Sequence, residues 1–166
     1  MLAHIMLIVI VQFAFAAVSA SVIFEDCGST FELKAVHIEG CGMRLPCDVT
    51  LGDDVPVNLE FVARDFPSRK IGQDVVININ HINLKTQVIP ERCEIEECPV
   101  RLDVVTSFNS IMSVPTSMAL NQRGYLRWRV EDEQGNQVLC YSVLVRTQSR
   151  TQKMLRQFLN YVRHNK

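Results

Sequence analysis

Six cysteines constrain the fold of this 166-residue chain more than any other feature of its sequence. All six follow an apolar N-terminal leader. Paired thiols are stable in an oxidising compartment, so cysteines behind such a leader are predicted to form structural disulfides rather than to act in catalysis. In chain order they are Cys27, Cys41, Cys47, Cys93, Cys98 and Cys140.

The leader itself predicts export. Residues 1–20 contain an unbroken apolar run over 5–11 and end in Val18-Ser19-Ala20, which has the small residues that a signal peptidase needs. A membrane anchor is the alternative, but the apolar core is short and no basic stop-transfer cluster follows it. We therefore expect a removed signal peptide over residues 1–20 and a secreted mature protein. The sequence leaves open whether that protein stays outside the cell or enters the endosomal or lysosomal lumen.

Most of the remaining chain alternates apolar and polar residues with a period of two, the pattern of strands that bury one face. The phase slips at Ala35-Val36, which predicts a β-bulge. Gly135, in the polar segment 131–136, predicts a hairpin turn. Seven or eight short strands of this kind favour an all-β sandwich. The alternating series cover residues 31–38, 55–63, 75–79, 84–89, 104–108, 126–130 and 138–145.

The spacing of the cysteines suggests how they pair. The simplest connectivity joins Cys27 to Cys140, Cys41 to Cys47 and Cys93 to Cys98, although six cysteines permit many other pairings. Neither close pair has the C-x-x-C spacing that is typical of redox and zinc sites. The long bridge would close a loop of about a hundred residues, which restricts the unfolded chain by ~4 to 5 kcal/mol.

The chain lacks the residue clusters that an enzyme needs. His37 and His81 each stand alone on a predicted strand, without a second histidine at a metal-ligand spacing. The sequence motifs of serine hydrolases, zinc proteases and nucleotide-binding proteins do not occur. The acidic clusters at 53–54 and 94–97 are expected to lie in solvated loops. We therefore expect no enzymatic activity, no catalytic residue, no cofactor and no metal.

The charge of the chain is distributed unevenly. Residues 1–146 carry 12 Lys+Arg against 18 Asp+Glu, whereas residues 147–166 carry five basic residues and no acidic one. An acidic body repels nucleic acid, so we expect no nucleic-acid partner.

The tail, residues 149–166, is predicted to form a basic amphipathic helix. Such a helix can contact an anionic membrane or a receptor transiently, can dimerise, or can pack on its own domain. Packing on the domain, or loose attachment to it, is the favoured alternative, and we expect a monomer. The apolar side of the helix is Met154, Leu155, Phe158, Leu159 and Val162, and the basic side is Arg150, Lys153, Arg156 and Arg163.

Several short segments occur in an order that is informative as a set. They include Phe24-Glu25-Asp26-Cys27-Gly28, Val57-Asn58-Leu59-Glu60-Phe61, Cys98-Pro99-Val100, Leu126-Arg127-Trp128-Arg129-Val130 and Leu139-Cys140-Tyr141. Together with the wide outer and tight inner cysteine pairs, this order resembles the ML (lipid-recognition) domain family, and most closely its Niemann-Pick type C2 sterol-transfer branch. The match spans about residues 22 to 146.

The resemblance implies an immunoglobulin-like sandwich of two antiparallel sheets over residues 21–148, with an apolar slot between the sheets. From the residues alone, inward apolar side chains fit a closed core as well as a pocket. The aromatic residues that line the slot in sterol-carrying relatives are missing from the stretches 85–90 and 113–120. The nearest candidates there are Val88, Val114, Pro115, Met118 and Leu120, and candidates for deeper parts are Val57, Phe61, Ile79 and Phe108.

The function that the resemblance implies is a secreted, non-enzymatic carrier that binds a sterol, a fatty acid or a similar hydrophobic small molecule and transfers it. The alternative is an innate-immune module that binds a microbial glycolipid and presents it to a receptor. That role needs cations at the pocket mouth, for which Arg69, Lys70 and Arg123 are candidates. A sandwich with a filled interior and no ligand is a third possibility.

Overall fold

A computed structural model of the chain describes residues 20–94 and 100–164. The predicted signal peptide lies outside these residues except for its last position, Ala20. The described residues form eleven strands and one helix, which are β1 (Glu25–Asp26), β2 (Glu32–Ile38), β3 (Cys47–Thr50), β4 (Asp54–Val62), β5 (Lys70–Ile79), β6 (Ile82–Lys85), β7 (Gln87–Ile89), β8 (Arg92–Glu94), β9 (Val105–Ser113), β10 (Arg123–Glu131), β11 (Gln137–Gln148) and α1 (Arg150–His164).

The strands form two sheets that share one core. The larger sheet has the order β1-β11-β10-β5-β6, with β3 also paired to β11 and β8 also paired to β5. The smaller sheet has the order β2-β4-β9-β7. The strand pairs are antiparallel except that β3 runs parallel to β11. The predicted all-β class, an immunoglobulin-like sandwich with a C-terminal amphipathic helix, is confirmed.

Alternation along the strands creates the core between the sheets. In β10, Leu126, Trp128 and Val130 are buried, whereas the neighbouring Tyr125 and Arg127 are exposed. The inward residues of both sheets meet in one apolar cluster. Because the period of a strand is two, each sheet turns a single apolar face toward the other sheet.

The structure agrees with two local predictions and differs from one. The pairing of β2 with β4 shifts register between Leu33 and Ala35, beside the predicted bulge. Gly135 has a φ of 82° in the hairpin between β10 and β11, a conformation that glycine adopts without strain. The number of strands exceeds the expected seven or eight. The reason is that β1, β3 and β8 have only two to four residues each, too few to show an alternating pattern.

Disulfides constrain the start of the domain and one of its loops. The two bridges between described cysteines are Cys27–Cys140 and Cys41–Cys47. The first spans 113 positions of sequence and joins the start of the domain to β11, while the second closes the loop between β2 and β3. Cys93 is also disulfide-bonded, and Cys98, its predicted partner, lies outside the described residues.

The helix α1 begins at a capping box. The backbone N–H of Ser149 donates to Gln152 Oε1 at 2.8 Å, and the N–H of Gln152 donates to Ser149 Oγ at 3.2 Å. This reciprocal pair satisfies two backbone donors and fixes where the helix starts. Over residues 20–94 and 100–164, no helix combines the length and the apolar character needed to cross a bilayer.

Candidate functional site

The nine residues predicted to line a pocket lie mostly in the closed core. Seven of them expose 5% or less of their surface, so their side chains fill the space between the two sheets. Pro115 is half-buried, and Leu120 is 44% exposed. The structure therefore brings seven candidates together in one apolar cluster and places Leu120 outside it. The seven are Val57, Phe61, Ile79, Val88, Phe108, Val114 and Met118.

A buried hydrogen-bonded group joins the two inner faces at one edge of the sandwich. Gln73 of β5 and Trp128 of β10 belong to the larger sheet, and Ser110 of β9 belongs to the smaller one. The side-chain oxygen of Gln73 accepts a hydrogen bond from Trp128 Nε1 at 2.9 Å. Its amide nitrogen donates to Ser110 Oγ at 2.9 Å and to the Pro90 carbonyl at 2.7 Å. We call these four residues the Gln73 clasp.

The Gln73 clasp lies beside the segment that passes from the larger sheet to the smaller one and back. This crossover segment, residues 86–91, contains β7. The Thr86 N–H donates to the Val75 carbonyl at 2.9 Å, and the Gln73 N–H donates to the Glu91 carbonyl at 2.8 Å, so both ends are attached to β5. Between the two attachments a cavity of about 280 Å³ is lined by Gln73, Lys85, Thr86, Gln87, Val88 and Glu91.

This cavity marks a seam between the sheets. β6 belongs to the larger sheet and β7 to the smaller one, so no backbone ladder joins them. Moving β7 away from β6 therefore requires breaking the Gln73 clasp and the attachments of the crossover segment, but no strand pairing within either sheet. The cavity borders one predicted pocket residue, Val88, which is the point where the seam meets the apolar core.

The sequence prediction missed Gln73 and Ser110. Gln73 lies in phase with the buried Ile71, Val75 and Ile77 on the inner face of β5. A polar residue at an inward position of an apolar series indicates a buried hydrogen bond, because an unpaired buried amide is unfavourable. That signal was available in the sequence, but its partner in β9 is 37 positions away and could not be identified from it.

A buried hydroxyl group near the clasp has no hydrogen-bond partner among the described residues. It belongs to Tyr141 of β11, whose ring lies 6.0 Å from that of Trp128 and 6.2 Å from that of Phe24. Burial raises the pKa of the Tyr141 hydroxyl well above its ordinary value. Among the described residues, the Tyr141 hydroxyl is one of three buried side-chain atoms without a hydrogen-bond partner, and the other two are His37 Nδ1 and Gln148 Oε1.

Tyr141→Phe is expected to increase the free energy of unfolding by about 1 kcal/mol, because it removes a buried group that lacks a partner. Urea unfolding followed by circular dichroism measures the change. Tyr125→Phe is the matched control, since Tyr125 lies exposed on the outer face of β10. A Tyr141→Phe protein that is less stable than the unmodified one would show that the hydroxyl is hydrogen-bonded after all.

A larger cavity lies on the outer face of the smaller sheet. It has a volume of about 670 Å³ and is bordered by His37, Ile89 and Ile111, with Asn58 and Asn109 at its floor. The Asn58 amide donates to Asn109 Oδ1 at 2.8 Å. The lining of this outer groove also includes Val57, one of the predicted pocket residues, and Pro90 and Ser110, which the groove shares with the Gln73 clasp.

The three cations proposed for a pocket mouth are not brought together. Arg69 and Lys70 lie at the start of β5, whereas Arg123 begins β10. Antiparallel pairing places Gly124 opposite Ile79, so Arg123 is at the other end of β5, about 30 Å away at ~3.3 Å per residue. These residues cannot form a single cationic site. Among the residues that the structure describes, no group of potential metal ligands is close enough to hold an ion.

The fold and the site define a β-sandwich whose inner faces are apolar and whose edge carries a lateral seam. The chain belongs to the ML domain family, whose model matches residues 21–147, the whole sandwich. Domains of this family are lipid-binding and non-enzymatic, which supports lipid binding in general. The helix α1 begins beyond the matched range.

One solved structure that resembles this chain supports the fold. A Niemann-Pick type C2 protein from the Japanese carpenter ant is 16% identical, with a TM-score of 0.63 over 76% of this chain and 99% of that one. At this identity the likeness shows the fold alone. The alkylpurine DNA glycosylase AlkC of Pseudomonas fluorescens, bound to DNA containing an abasic site analog, is 9% identical and covers 72% of this chain and 31% of its own. Its TM-score of 0.40 carries no argument. No curated protein matches the sequence.

Proposed function

We propose that this chain is a secreted, non-enzymatic lipid carrier, active as a monomer, that takes up a sterol, a fatty acid or a similar apolar ligand between its two sheets and transfers it. The observation that carries the proposal is the match to the ML domain family over residues 21–147, and the apolar inner faces of both sheets are compatible with it. A ligand in that position exchanges water for hydrocarbon walls, which is the main source of its binding energy.

The expected affinity follows from the apolar surface of the ligand. A sterol offers on the order of fifteen CH₂ equivalents at ~0.8 kcal/mol each, a ceiling near ~12 kcal/mol before ordering and association losses. Nanomolar to low-micromolar affinity is therefore within reach with few polar contacts. Selectivity among such ligands is modest, because one methylene changes binding by only ~1 to 3 kcal/mol.

Uptake requires the inner side chains to move, because seven of the nine candidate residues fill the space between the sheets. Met112 and Met118 both belong to the core cluster, and methionine repacks more easily than branched or aromatic residues. Opening the seam between β6 and β7 breaks the two backbone attachments of the crossover segment, from Thr86 to Val75 and from Gln73 to Glu91, but no strand pairing within either sheet. We infer that the ligand passes beside the Gln73 clasp and displaces side chains around Val88 and Met112.

Trp128 provides a direct test, since it is the single tryptophan and lies fully buried between the sheets. Titration of the lipid-free protein with oleate or cholesterol is expected to change Trp128 fluorescence saturably and to raise the melting temperature, because a ligand that binds only the folded state stabilises it. Native mass spectrometry of the secreted protein is expected to show one co-purifying lipid. The absence of a retained lipid, together with unchanged fluorescence and melting temperature for both ligands, would overturn the proposal.

A further inference from the structure

The helix α1 contacts the domain through its basic side. Arg150 Nε lies 3.1 Å from Asp53 Oδ1, and Lys153 Nζ lies 2.7 Å from Asp53 Oδ2. Arg156 forms an ion pair with Asp48, one turn further along. Both aspartates lie on the sandwich and are largely buried, so they form an acidic seat for the helix.

Asp53 of the acidic seat keeps its charge at neutral and mildly acidic pH. The hydrogen bond from Lys153, followed by that from Arg150, lowers the pKa of Asp53 below its ordinary value. A carboxyl group with a lowered pKa stabilises the folded arrangement above its unfolded pKa, and this contribution is lost as the pH falls through the folded value. The helix is therefore expected to remain attached at the pH of endosomes.

The opposite side of the helix is apolar and faces solvent. At 100° per residue, five of its six large apolar side chains occupy an arc of about 140°, away from the acidic seat, and the sixth, Tyr161, lies about 20° beyond this arc. They expose between 37% and 69% of their surfaces. A helix on a globular protein normally buries this face and leaves its charged face in water, so α1 has the reverse orientation. We call this face the apolar stripe, which consists of Met154, Leu155, Phe158, Leu159 and Val162.

Dimerisation is not the best explanation for the exposure of the apolar stripe. With Tyr161 included, six side chains that each expose on the order of 100 Å² give about 600 Å² per copy, or about 1,200 Å² in total, and only if every part of this face were covered. Stable specific interfaces bury about 1,200 to 2,000 Å². The helix is also short, about 22 Å at ~1.5 Å per residue, which limits the contact that two such helices can make.

We propose that the apolar stripe inserts into the surface of a lipid bilayer and holds the protein there. A helix that lies in the interface needs a wide apolar arc and no matching partner geometry, and α1 provides both. The purpose of such docking, exchange of the carried lipid with the membrane, rests on the proposed function. The docking itself does not depend on a bound ligand.

The ion pairs predict how this binding responds to salt. Arg150, Lys153 and Arg156 are already paired with the aspartates of the seat, so they contribute little attraction to anionic lipids. Insertion through the apolar stripe is therefore expected to occur on neutral phosphatidylcholine vesicles and to depend weakly on salt. This differs from the membrane alternative raised by the sequence, in which the basic residues contact an anionic membrane.

Flotation of the full chain with phosphatidylcholine vesicles at low and high salt tests the proposal. The triple variant Leu155→Gln/Phe158→Gln/Leu159→Gln is expected to lose on the order of tenfold or more in vesicle affinity. The matched control, Leu102→Gln/Val104→Gln/Val105→Gln, changes three exposed apolar residues elsewhere on the surface and is expected to bind like the unmodified chain. Circular dichroism of each variant verifies that α1 and the sandwich are intact.

Three results would overturn the docking proposal: no binding of the unmodified chain to vesicles, equal binding by the stripe variant, or a dimer in light scattering that the stripe variant converts to a monomer. The Trp128 titration with oleate separates this proposal from the proposed function. A stripe variant that still takes up oleate but fails to float supports docking through α1. If the unmodified chain floats but binds no ligand, the docking proposal stands and the proposed carrier function is wrong.

Discussion

Replacing Cys27 and Cys140 by serine is expected to lower the free energy of unfolding by about 4 to 5 kcal/mol. The bridge spans 113 positions of sequence, so its removal frees most of the domain in the unfolded state. A typical domain is stable by only ~5 to 15 kcal/mol, so a loss of this size brings it close to unfolding. Equilibrium urea denaturation, followed by Trp128 fluorescence and circular dichroism, measures the change.

The second described disulfide is the matched control. Cys41 and Cys47 are six positions apart, and the same chain-entropy relation gives about 2 kcal/mol for a loop of that length. The two losses of stability can be compared directly, because each variant replaces two cysteines and removes one bridge. A larger loss for the longer loop is the result that loop closure predicts. Equal losses would contradict the prediction and would indicate that local packing, rather than loop closure, determines how much each bridge stabilises the fold.

The long bridge also bears on the proposed carrier. It joins the start of the domain to β11, on the side of the sandwich opposite the seam between β6 and β7. Opening at that seam leaves this bridge and the β10–β11 ladder intact. Both ends of the bridge belong to the larger sheet, because Cys27 follows β1 and β1 pairs with β11. Opening at the seam is therefore expected not to depend on this bridge.

The sandwich itself could be predicted from the sequence, because each of its longer strands shows a local alternation of apolar and polar residues. The alternation of Leu126, Trp128 and Val130 with charged residues identifies β10, and glycine in a polar loop identifies the turn after it. The short strand β3 could not be predicted, because its four residues are defined by parallel pairing with the end of β11, about a hundred positions later. Such pairing depends on tertiary contacts that no local pattern contains.

The candidate site could be predicted less completely than the fold. Inward apolar residues such as Phe61 and Phe108 are the same in a closed core and in a pocket, so their pattern does not distinguish the two. The helical wheel separates the apolar and basic sides of α1 correctly. Which side meets the domain is determined by Asp48 and Asp53, about a hundred positions earlier in the chain, and is therefore a property of the folded structure.

Gln73→Leu is expected to have the second-largest effect, lowering the free energy of unfolding by about 3 kcal/mol. The substitution leaves the Trp128 N–H, the Ser110 hydroxyl and the Pro90 carbonyl without the partner they share, and a buried polar group without a partner costs about 1 to 3 kcal/mol. Gln87→Leu is the matched control, because Gln87 is exposed on the same crossover segment. A surface substitution of this kind is expected to change stability by less than ~0.5 kcal/mol.

The same substitution tests where the sheets separate. If the ligand passes beside the Gln73 clasp, weakening the clasp by ~1.4 kcal/mol or more speeds ligand exchange by roughly tenfold or more. Displacement of a fluorescent fatty-acid analogue measures the rate without relying on Trp128, whose surroundings the substitution alters. Gln73→Met, which keeps the length of the side chain but lacks its polar atoms, provides a second variant if Gln73→Leu folds poorly. If ligand exchange in Gln73→Leu and Gln73→Met is as slow as in Gln87→Leu, the sheets open elsewhere. A route through the seam must respond to loss of the side chain that links its two walls.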